Sequence, residues 1–255
     1  MGVFGEVADL YDDVRPGYPA DLAGAVRDYH GGTPTGVVEI GAGTGKGTEL
    51  LLHLGAPVTC LEPDPRMAAV LAARHPGVRV LGVTFEQWRP PDGGVPLLAA
   101  ALSWHWLDPA IRNRHAHGAL TPGGTLAILG HTYGYADPEH GRALDAVFRT
   151  ADPTAPRRRP DWFHDDIAGS GLFTDVTATT RLRDVPFTTD RYLDLVRTFG
   201  GPFRRRTLDE QTRGLTALRR TVDGFGGRVV VRLHTTLVLA RRPGRAGDDT
   251  DLTRT

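Results

Sequence analysis

The chain has 255 residues, 40% hydrophobic and 24% charged, which suits a globular protein with a substantial core in one large α/β domain or two smaller ones. Its 30 basic residues balance 30 acidic ones, so no global field draws it toward nucleic acid. No apolar run is long enough to span a bilayer, and a single cysteine, Cys60, excludes an internal disulfide and a cysteine-cluster metal site.

The first apolar run, Val37–Ile40, reads as a strand that opens through Gly41-Ala42-Gly43-Thr44-Gly45 into a helix over Gly47–Leu54. Strand, glycine turn and helix in that order form a nucleotide-type cofactor site, because glycines let backbone N–H groups approach a ligand closely. Glu39 stands two residues before the first glycine, where a purely structural strand prefers an apolar side chain. A second strand, Val58–Leu61, closes on Glu62, about 20 residues past the glycines, where a strand tip meets ribose hydroxyls. A carboxylate there accepts two hydrogen bonds from a vicinal diol, as an adenosine-containing cofactor requires.

Further along come a helix at Pro65–Arg74, a strand at Val78–Leu81, a short turn at Thr84–Trp88, a strand at Leu97–Leu102, a helix at Pro109–Leu120 and a fifth strand at Thr125–Leu129. Such alternation implies parallel strands with crossover helices, hence a doubly wound sheet. Helices then fit Glu139–Thr150, Phe163–Ala168, Thr189–Thr198 and Leu208–Val222, with strands at Val176–Val185 and Arg228–Arg241. A proline-bounded loop is expected at Ala151–Pro160, a basic break at Gly200–Arg206, and a polar, disordered tail over residues 244–255.

Glycine spacing separates two cofactor classes. Dinucleotide binding wants G-x-G-x-x-G, and the third glycine's place holds Lys46, the chain's one lysine; the pattern reads E-x-G-x-G-x-G. A carboxylate at Glu39 opposes a pyrophosphate but suits an ammonium or sulfonium charge. S-adenosylmethionine carries both, and it is the expected cofactor.

These residues resemble the class I S-adenosylmethionine-dependent methyltransferases, and more narrowly the methyltransferase type 11 or trans-aconitate-methyltransferase-like group. The resemblance extends to Phe4–Asp12 with Arg15-Pro16-Gly17-Tyr18-Pro19, to Ser103-Trp104-His105-Trp106-Leu107-Asp108, and to Leu120-Thr121-Pro122-Gly123-Gly124-Thr125. It implies a seven-stranded, mostly parallel Rossmann-like sheet with an antiparallel final strand and helices on both faces. One domain would cover residues 1–243, with lid helices over 1–30 and acceptor-side elements over 133–170 and 188–227.

For the donor, the resemblance implies that Gly41, Gly43 and Gly45 pass under its methionine part, with backbone contacts from Ala42 and Thr44. Glu39 receives the amino group directly or through water, Glu62 holds the ribose, and Pro63 and Met67 lie against the adenine. The turn Thr84-Phe85-Glu86 would offer the Phe85 N–H and the Glu86 carboxylate to the adenine edge. Ser103 adds a donor contact, and Tyr11 and Arg15 of the lid would meet the donor carboxylate. His105 is the candidate general base or acceptor-positioning group, with Trp104, Trp106, Tyr18 and Tyr133 on the substrate side. The chain departs from the group at Pro96 and Leu102, where an aspartate and a glutamine are common, so its acceptor contacts are less polar.

The expectation is methyl transfer to O or N of a small-molecule acceptor by a cytoplasmic monomer or homodimer, with no metal, nucleic-acid or membrane partner. A non-catalytic donor-binding module, an NAD(P)-binding oxidoreductase, and another use of the sulfonium such as cyclisation are the alternatives. The first keeps the loop without the chemistry; the second requires selective dinucleotide binding.

Overall fold

The computed structural model describes residues 8–151, 162–199 and 207–244. Phe4–Val7, the expected loop after Ala151, the basic break with Phe203 and Arg204–Arg206, and the expected tail lie outside the described residues. Helices α1 (Ala8–Val14) and α2 (Asp21–His30) precede β1 (Val37–Ile40), α3 (Lys46–Leu52), β2 (Val58–Leu61), α4 (Pro65–Arg74), β3 (Arg79–Leu81) and β4 (Val95–Ala101). A 3₁₀ turn at Trp104–Trp106 leads to α5 (Arg112–Ala119), β5 (Leu120–Tyr135), α6 (Pro138–Ala151), α7 (Trp162–Gly169), β6 (Thr174–Thr188), α8 (Thr189–Arg197), α9 (Leu208–Gly224) and β7 (Arg228–Arg241). No helix among the described residues is long and apolar enough to cross a membrane.

The seven strands run in the order β3-β2-β1-β4-β5-β7-β6. β1 pairs in parallel with β2 on one side and β4 on the other, Val37 lying opposite both Val58 and Leu97. β4 continues in parallel to β5, with Leu97 opposite Thr125. β7 is antiparallel to β5: Gly123 N–H donates to Arg242 O and, at the other end, Ala136 N–H donates to Val230 O, both at 3.0 Å. The expected strand order of succession and antiparallel last strand are therefore present. Strand order reverses at β1 and β4, and open α/β sheets bind ligands beyond the strand tips at such a reversal.

Two compact units make up the chain: residues 8–16, 131–151, 180–199 and 207–235 form the first, and 17–130, 162–179 and 236–244 the second. In the second unit, strand alternation sorts side chains into two cores. Val38, Ile40, Leu98, Ala100, Leu126 and Ile128 pack with Phe163 and Ile167 of α7 on one face. Val37, Cys60, Leu97, Ala99, Ala127 and Leu129 pack with Leu22 and Val26 of α2, Leu50 and Leu51 of α3 and Leu71 of α4 on the other. α2 thus contributes to this core, and of the expected lid helices only α1 groups with the first unit. That unit has its own core, in which Leu144, Tyr192, Leu195, Val196, Leu218 and Val222 pack against Val229, Val231 and Leu233 of β7.

β4, β5 and β6 exceed their expected lengths. β5 was expected at Thr125–Leu129 yet begins at Leu120, because Thr121–Gly124 stays in the ladder across an irregularity between Val95 and Leu97 of β4. β4 begins two residues before its expected start, at Val95, and ends one residue early, at Ala101, since Leu102 takes a left-handed φ of 54° that breaks the extended chain.

Candidate active site

The glycine loop is held to the β2 tip by its own backbone: Gly41 N–H and Ala42 N–H both donate to Leu61 O, at 2.8 and 3.2 Å. Its glycines adopt φ of +62°, +59° and +96° at 41, 43 and 45, the region L side chains rarely enter. A side chain at Gly41 would also strike Ser103, its Cβ 2.7 Å from the Ser103 Cβ, so the loop and the chain after β4 touch at this point. At Gly43 an added Cβ meets nothing within 4 Å. Open space over a left-handed glycine lets a ligand lie on the backbone itself. The neighbouring Thr44 hydroxyl is buried with no hydrogen-bond partner among the described residues.

Both motif carboxylates act on this loop, in different ways. Glu62, 7% exposed, takes the Gly43 N–H on one oxygen at 2.7 Å and the Asp64 N–H on the other at 2.8 Å. Burial raises its carboxyl above the ordinary range, and the two backbone hydrogen bonds work against that rise. Each oxygen keeps a second lone pair, so a diol can still be accepted. Glu39 lies beneath the loop at 1% exposure, receiving the Thr48 hydroxyl at 2.5 Å with Cys60 Sγ at 3.8 Å. Burial pushes its carboxyl up to about 8, only partly offset by the Thr48 and Cys60 hydrogen bonds. The same burial, with the Glu39 charge second, pushes the Cys60 thiol up to about 12. Glu39 is therefore largely neutral near pH 7 and braces α3 from within. Gly47 makes room for it, since a Cβ there would run into the carboxylate and come within 2.5 Å of the Ala101 Cβ.

The expected adenine wall is partly core. Phe85 is buried and stacks on His115, ring centroids 4.5 Å apart, and Met67 is buried on α4. Thr84–Trp88 closes as one turn, Thr84 O accepting from Gln87 N–H at 3.2 Å and Trp88 N–H at 3.0 Å. The N–H groups of Phe85 and Glu86, inside that turn, find no backbone acceptor among the described residues. Pro63 and Glu86 are half-buried beside these elements.

Past β4, Ser103 is buried and its hydroxyl donates to Ile40 O at the β1 tip. Trp104 departs from its expected place on the substrate side. It is fully buried, its ring N–H donating to Asp166 Oδ2 at 2.9 Å. Asp166 also binds the Arg112 guanidinium through both oxygens and takes the Asn113 amide at 3.1 Å. Arg112 lies between the rings of Trp104 and Trp162, 5.8 and 5.1 Å from their centroids. Burial alone would raise the Asp166 carboxyl, yet the hydrogen bonds from Arg112 and Trp104 outweigh it and hold it below the usual range. Trp104 thus anchors the segment. His105 is half-buried with its ring 4.8 Å from that of Trp106, and Trp106 is 57% exposed.

Tyr18 packs against the α2–α3 core of the second unit. Tyr11, Arg15 and Tyr133 come together in the first unit. There the Arg15 guanidinium lies 4.9 Å over the Tyr11 ring and donates to Tyr133 Oη at 3.1 Å. Sequence reasoning missed Thr48, Arg112 and Asp166. Thr48 had a usable signal, a hydroxyl in the first turn of the helix that follows a strand acid. Arg112 and Asp166 meet across 54 residues and had none.

Residues 38–128, spanning the loop, both carboxylates and Ser103, match the family model of the methyltransferase domain. An uncharacterized methyltransferase of Mycobacterium tuberculosis is 34% identical over 134 residues, 51% of this chain and 52% of that protein. A trans-aconitate 2-methyltransferase of Rhodopseudomonas palustris is 33% identical over 98 residues, 37% of this chain and 38% of that one. The chain spans about half the length of the first and less of the second. Among solved structures, a candidate type II methyltransferase from Anaeromyxobacter dehalogenans superposes with a TM-score of 0.67 at 18% identity, covering 91% of this chain and 99% of that one. Haemonchus contortus phosphoethanolamine N-methyltransferase 2, solved with phosphomonomethylethanolamine and S-adenosylhomocysteine, gives 0.55 at 12% identity over 95% of this chain and 58% of that one; such likeness shows the fold. With the motif residues inside the matched segment and the sheet order around them, residues 38–128 are similar to a methyltransferase domain, and the chain has the fold of the class I S-adenosylmethionine-dependent methyltransferases.

Proposed function

We propose that the chain transfers a methyl group from S-adenosylmethionine to O or N of a small-molecule acceptor, releasing S-adenosylhomocysteine. The observation that carries this reading is the Glu62 clamp on Gly43, which sets a carboxylate beside an open glycine backbone inside the segment that matches the methyltransferase family. The residues fit the donor in three respects: space over Gly43, the unmet Thr44 hydroxyl, and the spare lone pairs of Glu62.

When bound, the donor supplies a methyl group activated by a sulfonium. The chain's own task is then alignment and exclusion of water. Gly41–Gly45 and Glu62 hold the nucleoside end. Ser103, tied to Ile40 O, and Trp104, tied to Asp166, fix the backbone that carries His105. His105 takes the acceptor's proton, or orients the acceptor where no proton is lost. Glu39, neutral beneath the loop, serves through Thr48 as a brace and leaves positive charge above the loop to be met by other groups.

Calorimetric titration with S-adenosylmethionine, S-adenosylhomocysteine, NAD and NADP tests the cofactor. Micromolar binding of the first two is expected, and selective dinucleotide binding would overturn the reading. Incubation with methyl-labelled donor and a fraction of small metabolites tests catalysis, since a pure binding module labels nothing.

A further inference from the structure

Helix α5 touches two turns of the second unit, one after β4 and one after β3. After β4, Arg112 Nη1 donates to Trp104 O at 3.4 Å while its guanidinium is paired with Asp166. Trp104 O is the carbonyl of the peptide that joins Trp104 to His105, so α5 is fixed to the chain beyond the β4 tip. Arg112, Ala116 and Ala119 form the buried stripe of the helix. His115 stands beside that stripe, three residues on from Arg112 and so on a neighbouring part of the same face.

After β3, the half-buried His115 ring stacks on Phe85, centroids 4.5 Å apart and planes 27° from parallel. Phe85 is 2% exposed and stacks also with Trp88, at 6.3 Å. Trp88 belongs to the same turn, whereas His115 ties Phe85 to a separate element. The carbonyls of that turn are occupied: Thr84 O takes the N–H groups of Gln87 and Trp88, and Arg89 Nη1 donates to Glu86 O, Gln87 O and Trp88 O at 3.2, 3.5 and 3.4 Å. The N–H groups of Phe85 and Glu86 have no backbone acceptor among the described residues. Two spare donors on a turn with spent carbonyls suit a ligand edge that accepts hydrogen bonds, as purine ring nitrogens do.

We propose that His115 is a positioning residue for the donor's adenine: its stack on Phe85 holds the turn whose Phe85 and Glu86 N–H groups meet the purine edge. The inference rests on the methyltransferase reading above and adds to it a residue that touches no ligand. A hydrogen bond weakens steeply as its donor swings out of line, so a backbone N–H is useful only where the ring behind it is held. Stacked rings resist tilting in a way that a loose apolar contact does not, because the arrangement of the two faces is itself favoured. Asp166 and Trp104 O fix Arg112, Arg112 fixes α5, and α5 brings His115 against Phe85.

The test is calorimetric titration of the full chain with S-adenosylhomocysteine and with its 1-deaza and 3-deaza adenine analogues, each of which lacks one ring acceptor. Wild type should bind at least one analogue about fivefold or more weaker than the parent compound. His115→Ala should lose that discrimination, its affinities drawing within about twofold, whereas His115→Phe, which keeps a ring on Phe85, should retain it. His115→Leu fills the volume without a ring and should behave as His115→Ala does; it takes that variant's place where the alanine chain fails to fold. A packing role alone weakens all three ligands by one factor and leaves the discrimination intact, and that result overturns the inference. So does a wild type that binds parent and both analogues alike, or a His115→Phe variant that loses the discrimination. Failure of wild type to bind S-adenosylhomocysteine at all removes the methyltransferase reading, and this inference with it.

Discussion

Glu62→Gln isolates what the second carboxylate contributes. In the wild type both oxygens are committed, one to Gly43 N–H at 2.7 Å and one to Asp64 N–H at 2.8 Å. An amide keeps one acceptor oxygen and turns an NH₂ toward the other backbone donor, which is left unmet. An unmet buried donor costs about 1–3 kcal/mol, so a loss of about 2 kcal/mol of stability is expected. Donor binding should suffer separately. A ribose diol that donates to two carboxylate oxygens finds one acceptor in the amide, a loss of about 1.4–3 kcal/mol, or about 10- to 150-fold in Kd. Calorimetry on wild type and variant, each with S-adenosylhomocysteine and its 2′-deoxy analogue, separates the two effects. A ribose contact makes the variant indifferent to the missing hydroxyl; a loop brace alone weakens both ligands by one common factor. Because burial raises the Glu62 carboxyl, wild-type affinity should fall toward the variant's on acidification. Variant affinity within twofold of wild type at neutral pH would refute the reasoning.

Three further outcomes follow from the geometry. Glu39 is raised in the folded chain from an ordinary value near 4.5 to about 8, so the folded state holds a proton that the unfolded state releases. Its stability contribution is full below pH 4.5 and declines by about 1.4 kcal/mol per pH unit up to about 8; Glu39→Gln should match wild type in melting temperature at pH 5 and exceed it at pH 8.5. Gly41→Ala combines a φ of +62° with a Cβ 2.7 Å from the Ser103 Cβ, and should lose about 2 kcal/mol or more in chemical denaturation, partly recovered in Gly41→Ala/Ser103→Gly. Asp166→Asn removes the counter-charge of buried Arg112 and should cost about 3 kcal/mol, with a shifted Trp104 indole N–H resonance; an unmoved resonance would deny Asp166 its anchoring part.

The parts of the fold that were legible in the sequence are those whose side chains answer to one rule. β1 and β2 lie in the sheet interior with both faces covered, so they read as unbroken apolar runs, and their bounds were found at Val37–Ile40 and Val58–Leu61. β5 was undersized because its first residues, Leu120-Thr121-Pro122-Gly123-Gly124, carry turn chemistry and yet stay in the ladder, where Gly123 N–H meets Arg242 O. β6 is exposed along most of its length, so its limits at Thr174 and Thr188 left little hydrophobic trace. α2 was assigned to a lid on resemblance, although its burial of Leu22, Ala23 and Val26 is the ordinary behaviour of an amphipathic helix.

The site shows the same division, and Trp104 and Trp106 make the reason plain. The resemblance places both rings on the substrate side, as part of a segment at the end of a strand. The left-handed turn at Leu102 ends the strand, and Trp104–Trp106 closes as a 3₁₀ turn instead. At three residues per turn, side chains two positions apart point about 120° away from each other. One ring is driven into the core, fully buried against Asp166, and the other is left 57% exposed beside His105. A single backbone torsion therefore decides which aromatic ring is buried and which stays exposed. The contact of Glu62 with the Gly43 N–H carries no such ambiguity, because it depends on a spacing between two strand tips, which the parallel register of β1 and β2 preserves residue for residue.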